Sequence, residues 1–167
     1  MSILSSQEAL TNPRWVWVIR HAKTQNPRHM PDIERPLAAQ GQRDSWDVGR
    51  QLMEYRTAQI IYTSIALRAF TTASILSKVT GAKVVERTEL YASSSEALLL
   101  TIQQIDKTIE TAAIVAHNPG ISELASQLDS NQHPIILPTL GCIGFSYEGD
   151  WCDADFGSFT RSAYLYP

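Results

Sequence analysis

Short apolar runs of β-branched and aromatic residues alternate along this chain with longer stretches in which apolar residues recur every three or four positions. Residues 15–19 (Trp-Val-Trp-Val-Ile), 59–62, 83–86 and 112–116 have the length and composition of strands. Between them, 38–56 predicts a helix with Val48, Leu52 and Tyr55 on one face. Residues 66–78 predict another, carrying Phe70, Ala73 and Leu76 inward and stopping at Gly81. Ser93 with Glu96 reads as a capping box opening a third helix, where Leu98, Ile102, Ile105 and Ile109 form a core stripe. A short helix with Leu124 and Leu128 follows position 117, and the closing stretch reads as two strands around Glu148-Gly149-Asp150. Such alternation predicts an α/β fold, a three-layer α/β/α sandwich with a mainly parallel central sheet. With 167 residues, no repeat and no low-complexity linker, the chain is expected to be one domain spanning 1–167.

In parallel sheets the carboxyl ends of the strands open onto the ligand crevice. Three predicted strands end there in chemically capable residues. The first delivers Arg20 and His21. The second is followed by Arg68 in the first turn of its helix, and the fourth ends in His117 with Asn118-Pro119-Gly120 behind it. Asn is a good helix N-cap and Pro suits the first helical position, so backbone N–H groups are expected to face this region. Arg offers a rigid fork of donors to an anion, and a histidine beside that cation is disfavoured from taking a proton. A neutral imidazole of this kind can act as a nucleophile. Two cations, two imidazoles and a helix amino terminus suit a dianion such as a phosphoryl group, and sulfate or a carboxylate would also fit. Any one residue alone is as well explained by the surface or the core. Neither histidine has a Cys or carboxylate at ligand spacing, so a metal site is not expected.

Composition narrows the classes. A formal net charge of −3 provides no basic field for nucleic acid or an anionic membrane. Cys142 and Cys152 are too few for a disulfide scaffold and suit a reducing cytoplasm. Residues 1–14 lack a basic start and a long apolar core, and no later run approaches a membrane span, so a cytoplasmic, soluble protein is expected.

These residues resemble the histidine phosphatase superfamily, and within it the small phosphohistidine phosphatases of SixA type. The resemblance rests on Arg20-His21-Ala22-Lys23, Arg35-Pro36-Leu37 with Gly41, Ser64-Ile65-Ala66-Leu67-Arg68 followed by Thr72-Ala73, and Ala116-His117-Asn118-Pro119-Gly120-Ile121-Ser122. Leu137-Pro138-Thr139 and Tyr164-Leu165-Tyr166-Pro167 are similar to this branch too. Two positions depart: Ala22 stands where the superfamily often has Gly, and Leu140 where the branch often has Gly. The resemblance implies a phosphoglycerate mutase-like fold and no cofactor. His21 is then the expected nucleophile, with Arg20, Arg68, His117 and Asn118 around the phosphate. Glu89, in Thr88-Glu89-Leu90-Tyr91, lies where the superfamily often carries its general acid.

Two loops bear on specificity. Residues 22–36 form a long polar segment broken by Pro27, Pro31 and Pro36 that is expected to border the pocket, where Lys23, Arg28, His29 and Arg35 could meet a partner or remain solvated. Residues 87–93 leave no room for the helical insertion that roofs the cleft in many larger relatives. Three functions follow. The favoured one is a phosphatase of histidine-phosphorylated phosphorelay or phosphotransfer proteins. A phosphatase of small phosphomonoesters or sugar phosphates is the second, and a non-catalytic phosphate-reading module is the third.

Overall fold

The computed structural model describes residues 12–167; most of the amino-terminal segment read above for a leader lies outside the described residues. Six strands form one sheet in the order β3-β2-β4-β1-β5-β6: β1 (Arg14–Arg20), β2 (Ile60–Ser64), β3 (Lys83–Arg87), β4 (Thr111–Ala116), β5 (Cys142–Tyr147) and β6 (Thr160–Leu165). Pairings β3-β2, β2-β4 and β4-β1 are parallel, whereas β5 runs antiparallel between β1 and β6. The sheet is therefore mainly parallel, as expected. Four helices cover it: α1 (Ala39–Tyr55), α2 (Leu67–Thr80), α3 (Ser95–Gln103) and α4 (Gly120–Leu128).

Alternation along β1 shows how the layers form. Val16 and Val18 point into the core shared with Leu98, Ile102, Leu124 and Leu128 of α3 and α4. Trp15, Trp17 and Ile19 point the other way, against Val48, Leu52, Ala73 and Leu76 of α1 and α2. A strand's two-residue period thus places one helix pair on each face, giving the α/β/α sandwich. All six residues of β4 are buried, as befits the centre of a doubly covered sheet. Each fully buried Leu or Ile contributes about 1.5–3 kcal/mol relative to exposure.

Several local expectations shift. Tyr55 and Phe70 are exposed rather than inward; the inner face of α2 is Ala69, Thr72 and Ala73, small residues, with Leu76 as expected. The cap of α3 is Ser94, whose hydroxyl accepts the Ala97 N–H, while Ser93 donates to the Leu90 carbonyl. Ile105 and Ile109 fall beyond α3, in the turns that lead to β4, yet still pack on the core. Pro119, not Asn118, occupies the N-cap position of α4. Leu140 sits at φ +59° and is buried, in the left-handed region where a glycine would be unstrained. Its N–H reaches the carbonyls of Arg20 and His21 at 3.1 Å, which ties this turn to the end of β1. Among the described residues no helix is long and apolar enough to cross a membrane.

Gly41 is a close-approach position. A Cβ there would lie 2.2 Å from the carbonyl oxygen of Lys23, so only glycine lets the first turn of α1 rest on the segment leaving β1. Gly41→Ala is expected to destabilise the fold by about 3 kcal/mol, since backbone cannot yield as a side chain can. Urea denaturation measures this; an unchanged midpoint would refute it.

Candidate active site

Strands β2, β4 and β1 are neighbours, and their carboxyl ends emerge together. Register pairs Arg20 with Ala116, so His21 and His117 each follow that pair by one residue, and their rings lie 5.2 Å apart between centroids. The His21 N–H bonds to the Ala116 carbonyl at 3.1 Å and continues the ladder. Arg68 enters from the first turn of α2, directly after β2. The structure thus brings Arg20, His21, Arg68 and His117 to one end of the sheet.

His21 is buried, and its Nδ1 lies 2.8 Å from the Ala22 carbonyl oxygen. A carbonyl can only accept, so Nδ1 carries the ring hydrogen and Nε2 keeps its lone pair. Burial, followed by the charges of Arg68, Arg20 and Arg35, pushes the pKa of His21 down to about 4 against the opposing carbonyl contact. His117 is pushed down to about 3, first by burial and then by His21 and Arg68. Both imidazoles are neutral near pH 7. The segment after His21 is held from α2: the Ala22 N–H donates to Thr72 Oγ1 at 3.0 Å, and that hydroxyl donates to the Arg68 carbonyl at 2.7 Å.

Arg20 donates to the Leu137 carbonyl at 3.0 Å, and Asn118 Nδ2 donates to the same oxygen at 3.1 Å. The Asn118 amide therefore fastens the His117 turn to residue 137 instead of capping α4. Its Oδ1 accepts from the Ser122 hydroxyl, which in turn accepts the Leu137 N–H. Among the described residues Arg20 Nε, Arg68 Nε and His117 Nδ1 are buried polar atoms without a protein partner. Such atoms are costly unless a ligand or water completes them.

The 22–36 loop borders this end of the sheet, as its sequence suggests, through a residue that sequence reasoning did not single out. Asp32 accepts from Arg68 at its carbonyl (2.7 Å) and at Oδ2 (3.0 Å), from Arg35 Nε at 3.0 Å and from the Tyr91 hydroxyl at 2.8 Å. The Tyr91 hydroxyl, then Arg68 and Arg35, hold its carboxyl below the usual carboxylate range. Tyr91 also sets its ring edge-on to His117, with centroids 5.9 Å apart. Lys23, Arg28 and His29 are exposed. Glu89 stands on the turn after β3 with its carboxylate 3.5 Å from Arg87, and its side chain is half exposed. No hydrogen bond or ion pair among the described residues joins it to His21, Arg68 or His117.

An imidazole with a free lone pair beside guanidinium groups, at the edge of a mainly parallel sheet, can hold an anion such as a phosphoryl group within reach of a nucleophilic nitrogen. The model of the "Histidine phosphatase superfamily (branch 1)" matches residues 16–97. Among solved structures, the SixA protein of Nakamurella multipartitia superposes with a TM-score of 0.82 at 20% identity, over 94% of this chain and 98% of that one. The protein histidine phosphatase SixA complexed with tungstate gives 0.78 at 17% identity, over 90% and 96%. A mycobacterial glucosyl-3-phosphoglycerate phosphatase gives 0.66 at 16%, over 90% and 97%. An uncharacterized protein of Mycobacterium tuberculosis is 28% identical over 159 residues, 89% of this chain and 99% of its own length. Residues 16–97 thus match the histidine phosphatase superfamily model, and the chain shares the phosphoglycerate mutase-like fold of these solved structures.

Both histidines titrate lower in the folded chain than the ordinary 6.5. Between about 4 and 6.5 the unfolded chain therefore binds more protons, and stability rises with pH. In phosphate-free buffer the urea midpoint is expected to fall as pH is lowered from 6.5 toward 4. A His21→Gln, His117→Gln double variant should flatten that slope; an equal slope in the variant would show that other groups cause it.

Proposed function

We infer that this chain is a phosphohistidine phosphatase acting on histidine-phosphorylated phosphorelay or phosphotransfer proteins. The observation that carries the reading is the neutral His21 with its Nε2 lone pair free beside Arg68, Arg20 and His117. In the first step Nε2 attacks phosphorus in line. The bond to the leaving imidazole breaks, and that nitrogen keeps the bonding pair and gains a proton from solvent. Arg20, Arg68, His117 and Asn118 surround the transferring group, and the guanidinium donors stabilise charge spread over its oxygens. His21 now carries the phosphoryl group on Nε2 while Nδ1–H stays on the Ala22 carbonyl. Water then attacks phosphorus, the N–P bond breaks, the water proton passes to phosphate or solvent, and the imidazole is restored.

Three features favour a protein-borne phosphoramidate. A single short turn, at Thr88–Leu90, follows β3, so no inserted helix covers the site from that side. A protonated imidazole leaves more readily than an alkoxide, so little acid assistance is required, in keeping with the pairing of Glu89 to Arg87. The fold is shared with proteins described as SixA phosphohistidine phosphatases. The free thiols of Cys142 and Cys152 fit a cytoplasmic setting. A phosphatase of small phosphate esters is the second reading, favoured by the fold shared with glucosyl-3-phosphoglycerate phosphatase. A purely phosphate-reading module has no use for a nucleophile held with a free lone pair.

Phosphate release from a histidine-phosphorylated protein, measured beside an aryl phosphate, tests the reading. The wild type should release phosphate faster from phosphohistidine, and His21→Ala should release none from either. Aryl phosphate turnover alone would favour the small-ester reading, and failure on both would leave the binding module. Arg68→Ala should lose on the order of 10²–10³ in kcat while staying folded by circular dichroism. Wild-type turnover in that variant would remove Arg68 from the mechanism. Glu89→Gln should change turnover of phosphohistidine by less than about 10-fold; a loss in the 10²–10⁴ range typical of a positioned acid would assign it that role.

A further inference from the structure

Ser64 closes β2, is fully buried, and has no part in the chemistry set out above. Its Oγ accepts the Ala66 N–H at 3.2 Å and lies 2.8 Å from His117 Nε2. A hydroxyl has one hydrogen to give and two lone pairs to accept with. The Ala66 N–H takes a lone pair, and among the described residues Nε2 is the only other partner of the oxygen. If Nε2 carried the hydrogen and donated, the Ser64 O–H would be buried with nothing to receive it, at a cost of about 1–3 kcal/mol. Satisfaction of the hydroxyl therefore requires that Ser64 donate and Nε2 accept. A neutral imidazole that accepts at Nε2 holds its hydrogen on Nδ1. That atom is buried without a protein partner, in a ring flanked by His21 and Tyr91.

We propose that Ser64 is a positioning residue whose hydroxyl fixes His117 in the Nδ1–H tautomer, so that the ring presents a hydrogen-bond donor, not an acceptor, to the phosphoryl oxygens. The role rests on the phosphatase reading above. An acceptor at Nδ1 would meet a phosphoryl oxygen lone pair to lone pair, and a ring free to exchange tautomers would offer the donor for only part of the time. The contact joins the ends of adjacent strands, where Thr63 pairs with Val115, so the sheet itself fixes the distance. A serine at this position therefore does more than fill space: alanine would fit the same volume and give no direction to the imidazole.

The test is nitrogen-15 NMR of histidine-labelled protein near neutral pH, which distinguishes the protonated from the unprotonated ring nitrogen. Wild-type His117 is expected to show Nδ1 protonated and Nε2 bare, and inorganic phosphate should shift the Nδ1 proton. In Ser64→Ala the two tautomers should mix. Its kcat on an aryl phosphate should fall, by less than the order of 10²–10³ seen when such a donor is removed outright. A wild-type ring protonated at Nε2 overturns the proposal without any variant having to fold. An unchanged tautomer in Ser64→Ala, or a Nδ1 proton blind to phosphate, overturns it as well. A fixed, phosphate-sensitive tautomer in a protein that hydrolyses no phosphorylated substrate would instead sink the phosphatase reading and leave the Ser64 contact standing.

Discussion

Parallel pairing of β1 with β4, in the register that sets Arg20 beside Ala116, is the constraint on which the site depends. Parallel strands release their chains at the same edge, so one register decides that two histidines emerge side by side, with α2 and α4 beginning just after β2 and β4. The pairing is not free to slip. A shift of one residue would turn Trp15, Trp17 and Ile19 away from α1 and α2 and carry Val16 and Val18 out of the opposite core. The hydrophobic contacts that stabilise the sandwich are therefore the same ones that hold His21 and His117 at 5.2 Å.

Residues bonded to their sequence neighbours, or lying at the ends of strands, were legible in the sequence; those that meet across the fold were not. The run 15–19, the all-apolar 112–116 and the terminal Gly81 announce β1, β4 and the end of α2 through composition alone. Arg20, His21, Arg68 and His117 were legible as candidates because each lies within four residues of such an end. Asp32 meets Arg68 across 36 positions and Tyr91 across 59, and a lone Asp in a polar loop carries no local signal of either contact. Its one visible cue is the spacing to Arg35, three residues on, which allows their ion pair. Asn118 illustrates the opposite failure. Its propensity for capping is real, but the amide finds the Leu137 carbonyl nineteen positions later, and tertiary contact overrides the local preference. Tyr55 and Phe70 fit the helical period but stay exposed, because the inner faces close with Val48, Gly49 and Leu52 on α1 and with Ala69, Thr72 and Ala73 on α2.

The charges at this end of the sheet differ from those of the chain as a whole. Over the whole chain the balance is −3, so no long-range field points a phosphoryl group toward it. At the sheet end the balance reverses. His21 and His117 are neutral, Arg20, Arg35 and Arg68 lie close enough to bias His21, and Asp32 is the carboxylate that pairs with two of them. Three guanidinium groups against one carboxylate leave two positive charges, the complement of a phosphoryl dianion. The neutrality of the histidines follows first from burial and then from the nearby guanidinium groups, so in the proposed mechanism the same groups that suit an anion also leave the His21 lone pair available. Asp32 has a definite place in this balance. Asp32 accepts from Arg35 at Oδ1 and from Arg68 at its carbonyl and Oδ2, while the buried Nε of Arg68 has no protein partner among the described residues. A buried donor of this kind is costly to leave unpaired, so Arg68 Nε is the atom at this sheet end that an acceptor such as a phosphoryl oxygen would suit.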